Sequence, residues 1–263
     1  MDMKESWRLL LHPPQPAEVN MAVDEAIAIA FSNGKTPPTL RLYSWSLPSI
    51  SIGSFQAWEP GWDVPALSGK VPFVRRITGG RALLHDRELT YSVVAGTRDR
   101  LFSDGIKGTF YTIAGGFLAG LQSLGVSVDV YSPPRSERLE RPSSPLCFAS
   151  TSWYEITAQG KKLIGSAQRR WVGHFLQHGS LILEKRGVEG FHPSANQIGL
   201  SELLPTLPSE DTMVRAITSG FESALPIRLA SGSLTPEEEA TTLRLAKEKY
   251  GTDAWNLRRE TPS

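Results

Sequence analysis

The chain reads as a strand-rich fold of mixed α and β structure, and three observations carry that reading. Between residues 153 and 183 strand-forming runs follow one another through tight turns. Stretches with helical spacing interrupt the strands near the start, the middle and the end. The length, 263 residues with 40% hydrophobic and 21% charged, suits one large core or one domain with a small appendage. No internal repeat or low-complexity linker divides it.

Taken in order, residues 7–11 form a first strand, closed by Pro13-Pro14. Asn20 is expected to cap a helix reading NMAVDEAIAIAFSNG, with Gly34 past its end. Residues 39–45 alternate apolar and polar side chains, as a half-buried strand does, and 49–53 give a second short strand. The segment 71–94 places a strand before Arg75-Arg76, then Gly79-Gly80, then a strand over 89–94. Residues 106–124 predict an amphipathic helix with Phe110, Ala114, Phe117, Leu118 and Leu121 as its buried stripe and Gly125 as its stop. Gly115, Gly116 and Gly120 inside it predict close packing.

A strand over 126–131 and a polar, proline-containing loop over 132–144 lead to Cys147. Strands are expected over 153–157, 162–171 and 175–183. Ala158-Gln159-Gly160-Lys161 joins the first pair, and Gly173-His174, a type II′ dipeptide, joins the second. If Ala158 pairs with Lys161, Lys162 faces Thr157 and Cys147 can fold back toward its ammonium. A helix follows over 209–224, with an acidic start suited to its dipole. The tail has Ser233 or Thr235 as a cap, Pro236 in the first turn and glutamates after it, and Tyr250 and Trp255 are expected to dock on the body.

Composition excludes several classes. A formal net charge of +1 argues against broad electrostatic capture of nucleic acid. One cysteine permits no internal disulfide and no cysteine-cluster metal site, which fits a reducing, cytoplasmic setting. The N-terminal apolar stretch is far too short for a signal core, and no run approaches a membrane span. The expectation is a cytoplasmic protein with neither nucleic acid nor membrane as partner.

Two clusters can carry chemistry. Cys147 beside Lys162 would favour the thiolate, the form that attacks a carbonyl, and the same ammonium would steady a tetrahedral oxyanion. No histidine lies close to Cys147 in sequence, although His85 or His178 could approach in space. The competing reading is a buried core cysteine, for which a Ser/Pro-rich loop is a poor place. The second cluster is Arg75-Arg76 with Gly79-Gly80, a glycine turn beside cations that can hold a phosphate, a carboxylate or a thioester carbonyl. It fits neither the phosphate loop nor the dinucleotide fingerprint, and a hairpin corner with solvated arginines is its structural alternative. His85-Asp86 is a polarised imidazole or a turn.

Together RRITGGRALLHDRELTYS at 75–92, CF…SWYEI at 147–156, GKKLIGSAQRR at 160–170 and LQHGS at 176–180 resemble the biotin/lipoate protein ligase superfamily, and within it the LipM-type octanoyltransferases. The resemblance runs from Asn20 to the terminal Tyr-Gly-Thr-Asp-Ala-Trp. It implies an α+β fold, a mixed, mainly antiparallel β-sheet flanked by helices, with residues 1–230 as catalytic domain and 231–263 as a helical tail packed on it. Lys162 looks like the superfamily lysine that lies against the acyl carbonyl, and Cys147 like the acyl-thioester nucleophile. Arg75, Thr78, Gly79, Gly80, His85, Gly165, Ser166, Ala167, His178 and Gly179 would shape the acyl tunnel and its mouth. The implied donor is octanoyl-acyl carrier protein and the implied acceptor a lipoyl-domain protein such as the glycine cleavage H protein, with no metal and no cofactor. An ATP-dependent lipoate ligase is the competing activity on this fold. Such ligases typically carry a third glycine where this chain has Arg81, and a Gly-Asn pair near Glu88-Leu89. A non-catalytic acyl-carrier binding module is the remaining alternative.

Overall fold

A computed structural model describes residues 4–57, 69–131 and 155–260. An eight-stranded sheet runs in the order β11-β1-β2-β6-β10-β9-β8-β7. Its strands are β1 (Glu5–Leu11), β2 (Thr39–Tyr43), β6 (Glu88–Gly96), β7 (Asp129–Val130), β8 (Ile156–Ala158), β9 (Lys161–Arg170), β10 (His174–Ile182) and β11 (Ile227–Ser231). The β1–β11 and β1–β2 pairs are parallel, whereas every pair from β2 through β6, β10, β9 and β8 to β7 is antiparallel. A three-stranded sheet, β4 (Phe73–Arg75), β3 (Ser49–Ile52) and β5 (Leu83–His85), stands beside it. The fold is therefore α+β, mixed and mostly antiparallel.

Helices cover both faces of the large sheet. On one face α2 (Gly105–Ser123) and α3 (Glu210–Ala224) pack over Leu40, Leu42, Val93 and Phe175. Their crossing needs glycine: a Cβ on Gly220 would lie 2.4 Å from the Gly116 carbonyl, and one on Gly116 would enter the Phe221 ring. The buried stripe of α2 is Ile113, Phe117 and Leu121 with Ala114, while Phe110 and Leu118 are only half-buried. On the other face lie α1 (Ala17–Ser32) and α4 (Pro236–Leu245).

That double cover corrects the reading of β2 as half-buried, since all five of its residues are buried. Leu40 and Leu42 enter the α2/α3 core, while Tyr43 joins the core on the α1 side. The helix α1 also starts earlier than Asn20, after Pro16. Asn20 is interior and buried, its amide donating to the Gln15 and Ser44 carbonyls at 3.3 and 3.0 Å while its oxygen accepts from Arg41 at 2.7 Å. A helix of this kind begins at a proline because the ring lacks only a donor that the first turn would leave unused.

The two hairpins around β9 are set by local backbone chemistry. Gln159 and Gly160 both have positive φ, 50° and 72°, and the register pairs Ala158 with Lys161 and Thr157 with Lys162. At the far end the Trp171 amide donates to the His174 carbonyl, so the turn centres on Val172-Gly173, one residue before the expected dipeptide. Gly173 supplies the positive φ at its second position. The strand expected over 126–131 is ordered as such only at Asp129–Val130.

The C-terminal segment is bonded into the body. Thr235 and Glu238 form a reciprocal capping box, and Glu238 also holds Arg8 in a buried ion pair at 2.6 Å. The Trp255 indole donates to the Arg75 carbonyl at 2.7 Å, and Asn256 Oδ1 accepts from the Arg75 amide at 2.8 Å. Tyr250 and Trp255 are both buried. None of the described helices is long and apolar enough to cross a membrane.

Candidate active site

A cavity of about 210 Å³ opens between the small sheet and the α1-side face of the large one. Strand pairing builds its wall. In β10, His178 and Ser180 point to one side because strand side chains alternate, and their cross-strand neighbours on β6 are Ser92 and Thr90. On the other side of β10 the register sets Ala167 against His178, Ser166 against Gly179 and Gly165 against Ser180. Gly179 is obligatory there: a Cβ would lie 2.5 Å from the Gly165 carbonyl and 2.6 Å from the Tyr91 ring. Met21 from α1 and Trp45, Leu83 and Ala167 from around the cavity supply apolar lining.

Two buried carboxylates orient the two histidines. Asp24 on α1 accepts from Arg41 and Ser92, each at 2.7 Å, and from Tyr43 and His178 Nδ1, each at 3.0 Å. Burial pushes the Asp24 carboxyl upward, but Arg41 and these donors outweigh it and hold the group below its ordinary value. With Nδ1–H given to Asp24, His178 Nε2 accepts from Thr78 Oγ1 at 2.6 Å. Burial depresses the His178 pKa despite Asp24, so the ring is neutral at pH 7.

The second chain runs through Glu88, whose Oε1 accepts from His85 Nδ1 at 2.6 Å and from Thr90 and Ser180 at 2.7 Å each. His85 Nε2 accepts from Ser51 Oγ at 2.7 Å, and the ring stacks on Trp45 with centroids 3.8 Å apart. In both histidines one ring nitrogen donates to a carboxylate and the other accepts from a hydroxyl. Each ring is thereby fixed in its orientation.

Lys162 is 1% exposed at the start of β9 and its ammonium pairs with the Glu155 carboxylate, itself 3% exposed and part of the cavity wall. Enclosed in this way, the two groups offset part of each other's cost of burial. Cys147 lies outside the described residues.

The remaining expected site residues divide. Gly80, His85, Gly165, Ser166, Ala167, His178 and Gly179 line the cavity. Thr78 stands behind it, supporting His178. Gly79 borders a separate outer recess with Ile106, Phe110 and Arg170.

Arg75 turns away from the cavity, donating to the Gly53, Gln56, Trp255 and Asn256 carbonyls. It is Arg76 that faces the cavity, tied to Ser51 and to the Gly79 and Arg81 carbonyls. Both arginines are buried, which overturns the picture of a hairpin corner with solvated side chains. The loop can press so close because Gly53 lacks a side chain; a Cβ there would lie 2.0 Å from the Gly80 carbonyl.

Glu155, Asp24, Glu88, Trp45 and Ser51 were not anticipated as site residues. A signal did exist for Asp24, which with Glu25 forms an acidic pair between the apolar residues 21–23 and 26–31 of the helix. Among the described residues no group of three or more metal-ligating side chains converges.

The cavity is thus walled by glycines and flanked by an enclosed lysine and two carboxylate-held histidines. Residues 16–192 fit the family model of the lipoyl protein ligase A/B catalytic domain, and the chain belongs to that family. Its relatives include the Octanoyltransferase LipM of Kyrpidia tusciae, 42% identical over 97% of this chain and 100% of the relative. That of Brevibacillus brevis is 37% identical over the same shares. Among solved structures, lipoate-protein ligase A bound with ATP superposes with a TM-score of 0.77 at 25% identity, covering 97% of this chain and 99% of the other. A lipoate protein ligase candidate of T. acidophilum with bound lipoic acid gives 0.77 at 26% identity, over 97% and 100%.

Proposed function

We propose that this protein is an acyltransferase of protein lipoylation that moves an octanoyl group from octanoyl-acyl carrier protein to the lysine of a lipoyl domain, such as that of the glycine cleavage H protein. The observation that carries the reading is an enclosed ammonium, Lys162, beside a cavity walled by glycines and capped by fixed polar groups. Relatives named as octanoyltransferases over nearly the full chain support it.

In the first step Cys147, as thiolate, attacks the carrier thioester, the carrier thiol leaves and an octanoyl-Cys147 thioester remains. Lys162 stabilises the negative oxygen of each tetrahedral intermediate. The octanoyl chain gains about 0.8 kcal/mol for each methylene it buries, which favours an apolar wall over water. In the second step the neutral acceptor amine attacks the thioester, the C–S bond breaks, and the amine's proton is lost as the Cys147 thiol is regenerated and the amide forms. A thioester is already activated, so no nucleotide, metal or other cofactor enters. Residues 231–263 serve as an extension packed on the 1–230 catalytic body, a role that the Trp255–Arg75 and Arg8–Glu238 bonds support.

Transfer to a lipoyl domain, followed with Cys147→Ala in the presence and absence of ATP, tests the reading. The expected result is ATP-independent transfer by the natural sequence and none by the variant. ATP-dependent transfer of free octanoate that survives the substitution would instead identify a ligase.

A further inference from the structure

The cavity has an outer neighbour. The recess beyond Gly79, about 260 Å³, meets it across Gly80, Ser166 and Ala167, which line both spaces. A side chain at Gly80 would crowd this junction, since its Cβ would lie 2.6 Å from Arg76 Nη2 and 3.9 Å from the Ala167 methyl. Ile106 and Phe110 give the recess an apolar side, and Arg170 is the only charged side chain among the described residues that line it. Arg170 is held by its neighbours: its Nη1 donates to Thr109 Oγ1 at 2.9 Å and to Gln168 Oε1 at 3.3 Å. Gln168 in turn donates to Gln177 Oε1 at 3.1 Å and Gln177 to the Tyr91 hydroxyl at 2.9 Å, while that hydroxyl bonds to Ser166 Oγ at 2.7 Å. A polar chain thus runs from the shared wall to the guanidinium through Gln177 and Tyr91, each 1% exposed. Among the described residues Arg170 meets no carboxylate, and its Nε and Nη2 have no partner. Those two nitrogens form the fork that grips an oxyanion with parallel bonds.

We propose that this outer recess binds the phosphate-ended arm on which a carrier protein presents its acyl group, and that Arg170 pairs with the phosphate. This rests on the acyl-transfer reading above and places the donor within it. Such an arm is long and neutral, with two amides along its length and a pair of methyl groups beside its one anionic end. The recess offers matching chemistry, with hydrogen-bonding side chains at Ser166 and Gln168, apolar ones at Ile106 and Phe110, and one cation. Arg170 ends β9, eight residues beyond Lys162, a distance of about 26 Å at the rise of a strand. A long arm suits a cation so far from the lysine that meets the acyl carbonyl in that reading. The phosphate of an acyl-adenylate, one oxygen away from the acyl carbon, does not.

Two small donors that differ only in the phosphate test the proposal. Octanoyl-phosphopantetheine and octanoyl-pantetheine are each offered to the unsubstituted protein and to Arg170→Gln, with a lipoyl domain as acceptor. The unsubstituted protein is expected to prefer the phosphorylated donor by about 10-fold or more in kcat/KM, carried by KM, as a charged hydrogen bond to a remote group would give. In Arg170→Gln that ratio should fall close to one, and Arg170→Lys, which keeps the charge without the fork, should restore part of it. The same ratio in the unsubstituted protein and in Arg170→Gln would overturn the proposal, and so would an unsubstituted protein indifferent to the phosphate. Should the variants not fold, inhibition of the unsubstituted protein by free phosphopantetheine and by pantetheine still decides. Stronger inhibition by the phosphorylated compound, weakening as salt is raised, is the expected result, and equal inhibition refutes it. A protein that accepts octanoyl from no thioester donor, carrier protein included, and only from free octanoate with ATP would remove the acyl-transfer reading and this proposal with it.

Discussion

At Lys162 two demands meet on one side chain. Its side chain is 1% exposed, so removing it takes a counterion from the buried Glu155 carboxylate, a loss of about 3–5 kcal/mol for broken buried pairs. In the proposed reaction it also stabilises an oxyanion and a thiolate, and loss of one oxyanion donor costs about 10²-fold or more in rate. Lys162→Met, which keeps most of the volume, is expected to lower the melting temperature and to suppress transfer beyond that 10²-fold level. An alkylation-rate titration of Cys147 should show a higher thiol pKa in the variant, and an unchanged pKa would refute the electrostatic link. The motifs at 75–92, 160–170 and 176–180 brought out most residues that converge on the cavity. What they could not separate was Arg75 from Arg76, because a strand end sends neighbouring side chains to opposite faces and only tertiary packing decides which face is the cavity. Nor did they expose Asp24 and Glu155, whose roles depend on partners distant in sequence or on burial.

Among the elements, the hairpins and the glycine-bearing helix were the most legible, because their causes are local. Gln159-Gly160 sets its own turn, and Gly116 and Gly120 announced close packing before the partner was known. The partner, Gly220 on α3, lies about a hundred residues further on and carries no local sign of that role. Gly220→Ala would put a methyl 2.4 Å from the Gly116 carbonyl and the Gly120 amide nitrogen. Overpacking of this kind costs about 1–3 kcal/mol, so the urea midpoint should fall with little change in slope. The wall of the candidate site lies on the opposite face of the sheet, and specific activity of the folded fraction should be kept. The start of α1 was less legible: Asn20 has a capping residue's chemistry, yet its amide is spent on tying the Gln15 and Ser44 carbonyls together.

Across the whole molecule, the parallel joins of β1 to β2 and β11 were beyond local reading, since β1 and β11 are brought together by two sheets' worth of intervening chain. Buried ionisable groups couple this architecture to pH. His12 is held down to about 4, first by burial and then by Arg41, and His178 is also lowered, whereas an exposed imidazole titrates near 6.5. The unfolded chain therefore binds protons that the folded chain refuses, and stability should be full above pH 6.5 and decline as pH falls from there toward 4. Asp24, whose value is lowered, adds a further loss when its carboxylate is finally protonated. At the alkaline end Tyr91, pushed up to about 12 by burial, keeps its proton where an unfolded tyrosine loses it, so stability should also fall above pH 10. Thermal melts across pH 4 to 11 check both slopes, and a flat acid limb would contradict the buried-histidine account.

The proposed reaction requires a covalent acyl-enzyme formed without nucleotide, and intact-mass measurement after mixing with octanoyl-carrier protein looks for that species itself. One octanoyl group on Cys147 is the predicted result, formed without ATP, absent in Cys147→Ala and discharged on adding a lipoyl domain. An unmodified protein that nonetheless transfers octanoyl, or an adduct that appears only when ATP is supplied, would contradict it.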